Sequence, residues 1–207
     1  MKNKSFVFLL AVFCLSCYRI VLPPKLDLRG YETIGIVRFK CPDALNLEPL
    51  ITQRFIAEIT KDQQNLEILE LGKEEELLKE LKIETMGIEA YKAAATKYNV
   101  SSIFLGEVTI SDIKPNVTII PGLSYIGAQG DLEAIIVAKL IDAKTGKIIW
   151  TNSAKTRKVV GHIGFIEGKF VLDAKDPQST YGPMVEELVK KLTRDFQKTY
   201  KYRCCRK

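Results

Sequence analysis

The sequence is poor in the side chains that most often carry enzymatic or metal chemistry. Among its 207 residues there is a single histidine, His162, and no cysteine or carboxylate motif lies near it at ligand spacing. A catalytic triad and a zinc site both need several such groups in a fixed geometry. We therefore predict no catalytic residue, no metal site and no cofactor, and we expect a protein that is not an enzyme.

Motifs that bind phosphate or activate a nucleophile are also missing. The sequence contains no Gly-x-Ser-x-Gly stretch, so it has no nucleophile elbow. Gly30 and Gly35 have the spacing of a P-loop. Ile36 and Val37 then stand where that loop requires Lys and Ser or Thr. A net charge of +6 is too small for a nucleic-acid footprint, so nucleic acid is not predicted as a partner. An envelope hydrolase with an unrecognised site is the least favoured reading.

No apolar run approaches the ~20 residues that a membrane-spanning helix needs. Residues 1–16 instead contain two early lysines and a short apolar core, which is the arrangement of a signal peptide. Ser16-Cys17 follows, a small residue directly before a cysteine. The pattern resembles the lipobox of bacterial lipoproteins. In that family the cysteine receives diacylglycerol, the leader is cut before it, and the new amino group is acylated.

This resemblance implies that Cys17 is the lipid attachment site. Several buried acyl chains would hold the protein stably on a membrane, because each CH₂ contributes ~0.8 kcal/mol. Tyr18, rather than Asp, follows the anchor, which favours the outer membrane with the domain facing the periplasm. Exposure at the cell surface stays open. The alternative for the leader is an ordinary secretory peptide that is cleaved nearby.

The rest of the chain divides into a tether, one domain and a tail. Residues 17–30 include Pro23-Pro24 and predict an extended, lipidated tether. Residues 31–200 predict the domain, and residues 201–207 a basic tail that contains cysteines. Strand patterns occupy 31–39, 66–71 and 101–110, and helical periodicity occupies 43–61, 73–81, 88–98 and 181–200. The predicted fold class is α+β, a single mixed β-sheet with helices packed on it.

The segment Leu132–Lys158 predicts the central hairpin of this sheet. In its first arm every second residue from Leu132 to Leu140 is apolar, and the residues between them mix charged and apolar types. Alternate residues of a strand point to opposite faces, so one face is predicted to lie in the core and the other to be partly wet. Asp142 can bond its own backbone and Gly146 accepts a positive φ, so residues 142–146 predict the turn.

Two insertions flank this hairpin, at 112–131 and 159–177. Both are longer than common connections of ~4–6 residues and are apolar where loops should be polar. Each predicts a small hairpin, the first around Pro121-Gly122 and the second around Glu167-Gly168. The candidate membrane or partner contacts are Ile119, Ile120, Leu123, Tyr125, Ile126, Ile163, Phe165, Ile166, Phe170 and Leu172.

These apolar insertions have two interpretations. They pack on the domain or on another subunit, since apolar loop surface is usually buried somewhere. Alternatively, they extend as amphipathic strands into a membrane barrel built by several subunits. A spanning strand needs ~9–11 residues, which the arms approach only if flanking polar residues are counted. Strand length therefore favours the first interpretation.

Two motifs carry a second resemblance. Gly106-Glu107-Val108 lies in a predicted strand, and Leu140-Ile141-Asp142 leads through Thr145 to Trp150 in the hairpin. Over about residues 31–200 the chain resembles the segment shared by curli-secretion (CsgG) lipoproteins, the TolB amino-terminal domain and LpoB-type activators of penicillin-binding proteins. The resemblance implies the α/β fold and a secreting, scaffolding or activating role. CsgG-type channels insert two membrane hairpins at the places of the two insertions.

Together these observations predict a non-enzymatic outer-membrane lipoprotein that acts as a binding or assembly module in envelope biogenesis or transport. Its predicted partners are the lipid membrane, through acylated Cys17, and an envelope protein or a second copy. The alternative is a subunit of an oligomeric CsgG-like secretion pore with 112–131 and 159–177 as membrane hairpins. An oxidising envelope permits a disulfide between Cys41 and Cys204 or Cys205. The alternative is that the terminal cysteines form no disulfide, either as free thiols or because they are lost.

Overall fold

The structure, a computed structural model, describes residues 18–41, 46–63, 65–111, 114–119, 126–161, 163–166, 169–172 and 177–203. The strands are β1 (Tyr18–Leu22), β2 (Thr33–Ile36), β3 (Glu67–Glu70), β4 (Ser102–Ile110), β5 (Lys114–Ile119), β6 (Ile126–Asp142), β7 (Ile148–Gly161), β8 (Ile163–Ile166), β9 (Lys169–Leu172) and β10 (Thr199–Arg203). The helices are α1 (Glu48–Thr60), α2 (Glu74–Leu81), α3 (Ile88–Tyr98) and α4 (Pro177–Leu192), followed by a 3₁₀ turn (Thr193–Phe196).

The main sheet is mixed, runs in the order β3-β2-β4-β6-β7, and has β6 as its longest strand. Strand β2 runs parallel to β3 on one side and to β4 on the other. Strand β4 is antiparallel to β6, and β7 is antiparallel to β6 on its opposite edge. Strand β5 continues along the edge of β6 that β4 occupies. The predicted α+β class, a mixed sheet with helices packed on it, is confirmed.

The main core lies between this sheet and helices α1 and α4. The predicted inward face of β6 is confirmed, because Leu132, Ala134, Ile136, Ala138 and Leu140 are all buried. Aromatic rings fill the space above them in tilted and edge-to-face contacts, the geometry that ring quadrupoles favour. The ring centroids lie 4.9 Å apart for Phe39–Phe55, 5.1 Å for Phe55–Phe104, 5.8 Å for Phe104–Phe196 and 4.6 Å for Trp150–Phe196.

Helices α2 and α3 cover the other face of the sheet only in part. They form a smaller core with Val37, Leu71 and Ile103, in which Ala94 of α3 allows a close approach to the sheet. This cover does not reach the outer face of β6, where Ile135 and Val137 each remain 37% exposed. The partly wet second face that the sequence predicts is therefore confirmed.

The hairpin turn between β6 and β7 has the predicted chemistry. The carboxylate oxygen Oδ1 of Asp142 accepts hydrogen bonds from the backbone N–H of Lys144 (3.1 Å), and from the N–H and hydroxyl of Thr145 (both 2.7 Å). These hydrogen bonds lower the pKa of Asp142, because they favour its charged form. Gly146 has a φ of 72°, a left-handed conformation that costs glycine little.

The C-terminal part differs from the predicted helix over 181–200. Helix α4 begins earlier, at Pro177, and ends at Leu192, where a 3₁₀ turn takes over and buries Phe196. Residues 199–203 then form β10, in which Thr199, Tyr200 and Tyr202 are of types that favour strands. The prediction of α-helix after Leu192 is wrong, because residues 193–196 form a 3₁₀ turn and residues 199–200 pair with a strand partner far away in the chain.

That partner is the stretch for which the sequence predicts an extended tether. Residues Tyr18–Leu22 of that stretch form β1, which pairs antiparallel with β10 from Tyr18 opposite Arg203 to Leu22 opposite Thr199. Further along the same stretch Leu28 is fully buried in the main core. Residues 18–30 therefore belong physically to the folded body and its two-stranded extension.

Candidate functional site

Strand β6 brings the two insertions to the same end of the sheet. Its residues 126–131 pair with β5, and on the opposite edge Gln129–Asp131 pair with Val159–Gly161 of β7. The result is a three-stranded end that we call the distal ladder, made of β5, residues 126–131 of β6 and residues 159–161 of β7. The β8–β9 hairpin follows directly in the chain after β7.

The structure places the backbone of most predicted contact residues in these elements. Ile119 lies opposite Ile126 at the tip of the β5–β6 pairing. In the second hairpin Ile163 lies opposite Leu172, Phe165 opposite Phe170, and Ile166 opposite Lys169. The pairing predicted for the second insertion is thus confirmed. In the first insertion residues 114–119 pair with 126–131, further from the predicted Pro121-Gly122 turn, which lies outside the described residues. Ile120, Leu123, Tyr125 and His162 lie outside the described residues.

Two cross-strand ion pairs hold the outer face where the sheet passes into the distal ladder. The guanidinium of Arg157 donates to Asp131 Oδ2 at 2.6 Å, and Lys155 Nζ lies 2.7 Å from Glu133 Oε1. The Asp131 carboxylate raises the pKa of Arg157, since it favours the charged guanidinium. With Ser111, three of these residues line a small cavity of about 80 Å³. Charge on this face is locally balanced.

On the inner face, Glu187 of α4 ties the helix to β7 below the distal ladder. Its carboxylate accepts a hydrogen bond from the Thr156 hydroxyl at 2.8 Å, and lies 2.7 Å from Lys191 Nζ and 3.2 Å from Lys158 Nζ. Hydrogen bonds from Lys191, Thr156 and Lys158 lower the pKa of Glu187 to about 2. The carboxylate stays ionised at neutral pH and fixes the end of β7 against the helix.

Strand edges at the distal ladder have no partner among the strands that the structure describes. There, β5 and β7 each pair with β6 alone. The other edge of each strand carries backbone N–H and C=O groups that another extended chain can pair with. Such edges bind by β-strand addition, in which main-chain hydrogen bonds give affinity and side-chain pockets give specificity.

The N-terminal segment joins the folded body at the opposite end of β7. Trp150 Nε1 donates to Asp195 Oδ2 at 3.2 Å, and Lys25 Nζ lies 3.0 Å from Asp195 Oδ1. The backbone N–H of Leu26 donates to the carbonyl of Asp195 at 3.0 Å. Val159 stands nine residues beyond Trp150 along β7, so the two ends lie about 30 Å apart at ~3.3 Å per residue.

The predicted lipid and disulfide positions are only partly within the described chain. Cys17 lies outside the described residues, as do Cys204 and Cys205. Cys41 is buried, with 9% of its surface exposed, and packs in the main core. Lipid attachment at Cys17 and a disulfide of Cys41 stay predictions. In the described ranges, no group of three or more His, Cys, Asp or Glu side chains is arranged to hold a metal ion.

The ion pairs Arg157–Asp131 and Lys155–Glu133 are features that the sequence does not predict. Their positions depend on the register of β6 and β7, which shifts by one residue between Leu140 and Ile141. A bulge of this kind moves every later residue to a different partner. Acidic residues in one arm and basic residues in the other indicate that cross-strand ion pairs can form, but they do not determine which residues lie opposite each other.

None of the helices in the described part of the chain combines the length and apolar character needed to cross a membrane. No family model matches the chain, and no curated protein matches its sequence.

Three solved structures show how far the likeness to known proteins extends. The PelC dodecamer from Paraburkholderia phytofirmans is 10% identical, over 88% of this chain and 98% of that one, with a TM-score of 0.44. Lipoprotein GNA1162 from Neisseria meningitidis is 14% identical, over 61% and 83%, with a TM-score of 0.38. A minor lipoprotein from Acinetobacter baumannii is 10% identical, over 80% and 91%, with a TM-score of 0.36. Likeness at this level does not assign the chain to a family.

Proposed function

We propose that this protein is a non-enzymatic lipoprotein of the outer membrane that faces the periplasm and acts as a binding or assembly module. Cys17 carries the lipid, and the distal ladder with the β8–β9 hairpin binds an envelope protein or a second copy of the chain. The observation that carries the proposal is that β6 gathers two apolar insertions at one end of the sheet.

The placement of the two ends supports partner binding. The segment that follows Cys17 enters the body beside Trp150 and Asp195, about 30 Å along β7 from the distal ladder at ~3.3 Å per residue. A domain held at the Trp150 end presents the distal ladder away from its anchor. The open edges of β5 and β7, within the described strands, give that end a means of pairing with another chain.

The anchor is tested by replacing Cys17 with Ala in the native host. We expect the protein to leave the membrane fraction and appear in the soluble periplasm, because no acyl chain then holds it. Cys14→Ala, which removes the other cysteine of the leader region, is the matched control and should stay in the membrane fraction. Mass spectrometry of the purified native protein should show an N-terminus at Cys17 with fatty acyl mass. An N-terminus without acyl mass would refute the anchor.

The binding end is tested by replacing residues 163–172 with a short Gly-Ser turn. Affinity capture from solubilised envelope, together with light scattering, should show that the variant loses a bound protein or a self-associated state that the wild type has. Lys79→Glu/Lys92→Glu is the control, since both side chains are exposed on α2 and α3, away from the distal ladder. The same bound proteins and the same mass in variant and wild type would contradict this site.

The second candidate is a subunit of an oligomeric secretion pore, in line with the resemblance to CsgG-type lipoproteins. It is favoured by one observation, the two hairpins that share one end of the sheet. Detergent-extracted protein should then form rings that conduct ions in planar bilayers, and deletion of residues 159–173 should abolish the conductance. A monomer or dimer that never conducts excludes the pore and leaves the binding module.

A further inference from the structure

The pairing of β1 with β10 creates a two-stranded extension, which we call the terminal ribbon (residues 18–22 and 199–203). The two strands pair with each other and with no further strand in the described chain. Its base is fixed, because the N–H of Lys198 donates to Asp62 Oδ2 at 2.9 Å and Leu26 is bonded to Asp195. A two-stranded ribbon on its own is marginally stable in water, so a further contact would stabilise the part beyond this base.

The charged residues of the terminal ribbon are all basic. Its ten residues include Arg19, Lys201 and Arg203 and no acidic residue. Neither Arg19 nor Lys201 forms an ion pair with a residue that the structure describes, although many other basic side chains do. The ribbon therefore carries positive charge that the described surface does not neutralise.

Apolar and aromatic surface accompanies that charge on the same ribbon. Val21 lies directly opposite Tyr200, and they are 52% and 49% exposed. The guanidinium carbon of Arg19 lies 3.5 Å from the centroid of the Tyr200 ring, which places Arg19 on the same face. Leu22, at the base, is 40% exposed, and Lys201 is also exposed; both point to the other face of the ribbon, because alternate strand residues face opposite ways. Each face of the ribbon thus presents a cation beside exposed apolar surface.

This combination fits the boundary of an anionic bilayer. Each basic side chain near a surface of acidic lipids contributes about a fivefold gain in binding. Tyrosine is enriched where an apolar body meets a polar head-group region. Tyr18, the first residue of the ribbon, directly follows Cys17 in the sequence, so an acylated Cys17 brings the ribbon to the membrane surface.

We propose that the terminal ribbon is a second membrane contact, which binds the head groups of anionic phospholipids beside the acylated Cys17. The proposal rests on the lipid anchor proposed above. One acylated residue leaves a domain free to tumble on the membrane, whereas an anchor plus a bound ribbon fixes its tilt. Because the ribbon base lies at the Trp150 end of β7, the bound ribbon directs the distal ladder away from the bilayer.

Hydrogen exchange of the native lipoprotein in vesicles tests this proposal. The purified protein is reconstituted either in phosphatidylcholine or in phosphatidylcholine with about 30% phosphatidylglycerol, and the amides of 18–22 and 199–203 are followed by mass spectrometry. We expect exchange in the terminal ribbon to be at least about fivefold slower in the anionic vesicles. The difference should vanish in 0.5 M NaCl, at which exposed charges are screened over about 4 Å.

Charge variants give the specific arm of the test. Arg19→Glu/Lys201→Glu should abolish the slowing of exchange by anionic lipid. Arg19→Gln/Lys201→Gln should weaken this slowing, because the ribbon then loses attraction to the head groups without being repelled by them. Lys79→Glu/Lys92→Glu makes the same charge change elsewhere and should retain the slow exchange. Unchanged unfolding midpoints show that the variants remain folded.

Each outcome separates this inference from the anchor. Equal exchange in neutral and anionic vesicles, with acyl mass present on the same sample, overturns the ribbon contact and leaves the anchor standing. A sample without acyl mass overturns the anchor on which the inference rests. Loss of slow exchange in the Lys79→Glu/Lys92→Glu control, or protection that follows protein concentration rather than lipid charge, also overturns the proposal.

Discussion

The side-chain amide of Gln63 donates from Nε2 to the backbone carbonyl of Phe196 at 3.0 Å, across 133 positions of the chain. The same nitrogen donates to the carbonyl of Leu26 at 3.1 Å, and Oε1 accepts the N–H of Leu28 at 3.0 Å. Gln63 is 4% exposed. One buried amide thereby joins the end of helix α1, the segment after β1 and the 3₁₀ turn before β10.

Replacing Gln63 with Leu should destabilise the protein by about 3 kcal/mol, because buried backbone groups of Leu26, Leu28 and Phe196 lose their partner. Urea unfolding measures the loss, and hydrogen exchange of residues 18–22 should become faster in the same variant. Gln53→Leu, on the exposed face of α1, is the control and should change stability by less than ~0.5 kcal/mol. Equal midpoints for both variants would show that the three hydrogen bonds contribute little.

A side chain at Gly106 has no room. A Cβ there would lie 2.0 Å from Cε1 of Phe39, a fully buried ring in the aromatic core. Gly106→Ala should cost about 1–3 kcal/mol through forced displacement of that ring. Gly182→Ala is the matched control, since a Cβ there meets nothing within 4 Å. It should stabilise α4 by ~0.5–1 kcal/mol, and thermal unfolding of both variants gives the comparison.

The pKa of Glu187 makes stability depend on pH in a stated direction. In the folded protein, hydrogen bonds from Lys191, Thr156 and Lys158 lower the pKa of its carboxyl from 4.5 to about 2. The stabilisation is therefore fully present above pH 4.5 and is lost as pH falls toward 2. In Glu187→Gln the free energy of unfolding should fall less as the pH is lowered. The difference from the wild type should be moderate, because a third of the Glu187 side chain faces solvent. Urea unfolding at pH 7 and pH 3 tests this, with Glu84→Gln, an exposed carboxylate, as control.

The hydroxyl of Thr52 is buried and makes two hydrogen bonds. It accepts the backbone N–H of Phe39 at 3.0 Å and donates to the carbonyl of Glu48 at 2.8 Å. Thr52→Val keeps the shape but leaves the Phe39 N–H without its acceptor, which should cost about 1–3 kcal/mol. Thr60→Val removes a hydroxyl that only donates to helix carbonyls and should cost less. A smaller loss for Thr52→Val than for Thr60→Val, measured by urea unfolding, would contradict the role of the Phe39 contact.

Local chemistry accounts for the parts of the fold that the sequence predicts well. Helix α3 spans Ile88–Tyr98, as predicted, because Gly87 precedes it in an extended conformation and Asn99 ends it in the left-handed region with φ 53°. The turn at Asp142–Gly146 follows from side-chain bonds within four residues. Such signals need no knowledge of distant partners.

Distant pairing explains the parts that the sequence misses. Residues 199–203 continue the helical apolar period in part, yet β1 captures them as a strand. Near the start of β6, Gly127-Ala128-Gln129-Gly130 has small and polar residues that do not predict a strand. It becomes one because β5 pairs with all four residues and β7 pairs with the last two. The sequence therefore predicts two contact segments but not that they meet at a single end.

The unbroken run of β6 over 17 residues also has a mechanical consequence. A partner that pulls on the distal ladder, away from the Trp150 end, loads the sheet along the strand direction. Hydrogen bonds between antiparallel strands run perpendicular to the strands, so the rungs that join β6 to β4 and β7 share such a load in shear instead of opening one after another. Traction between a fixed surface and a distant assembly is the kind of force that this arrangement resists best.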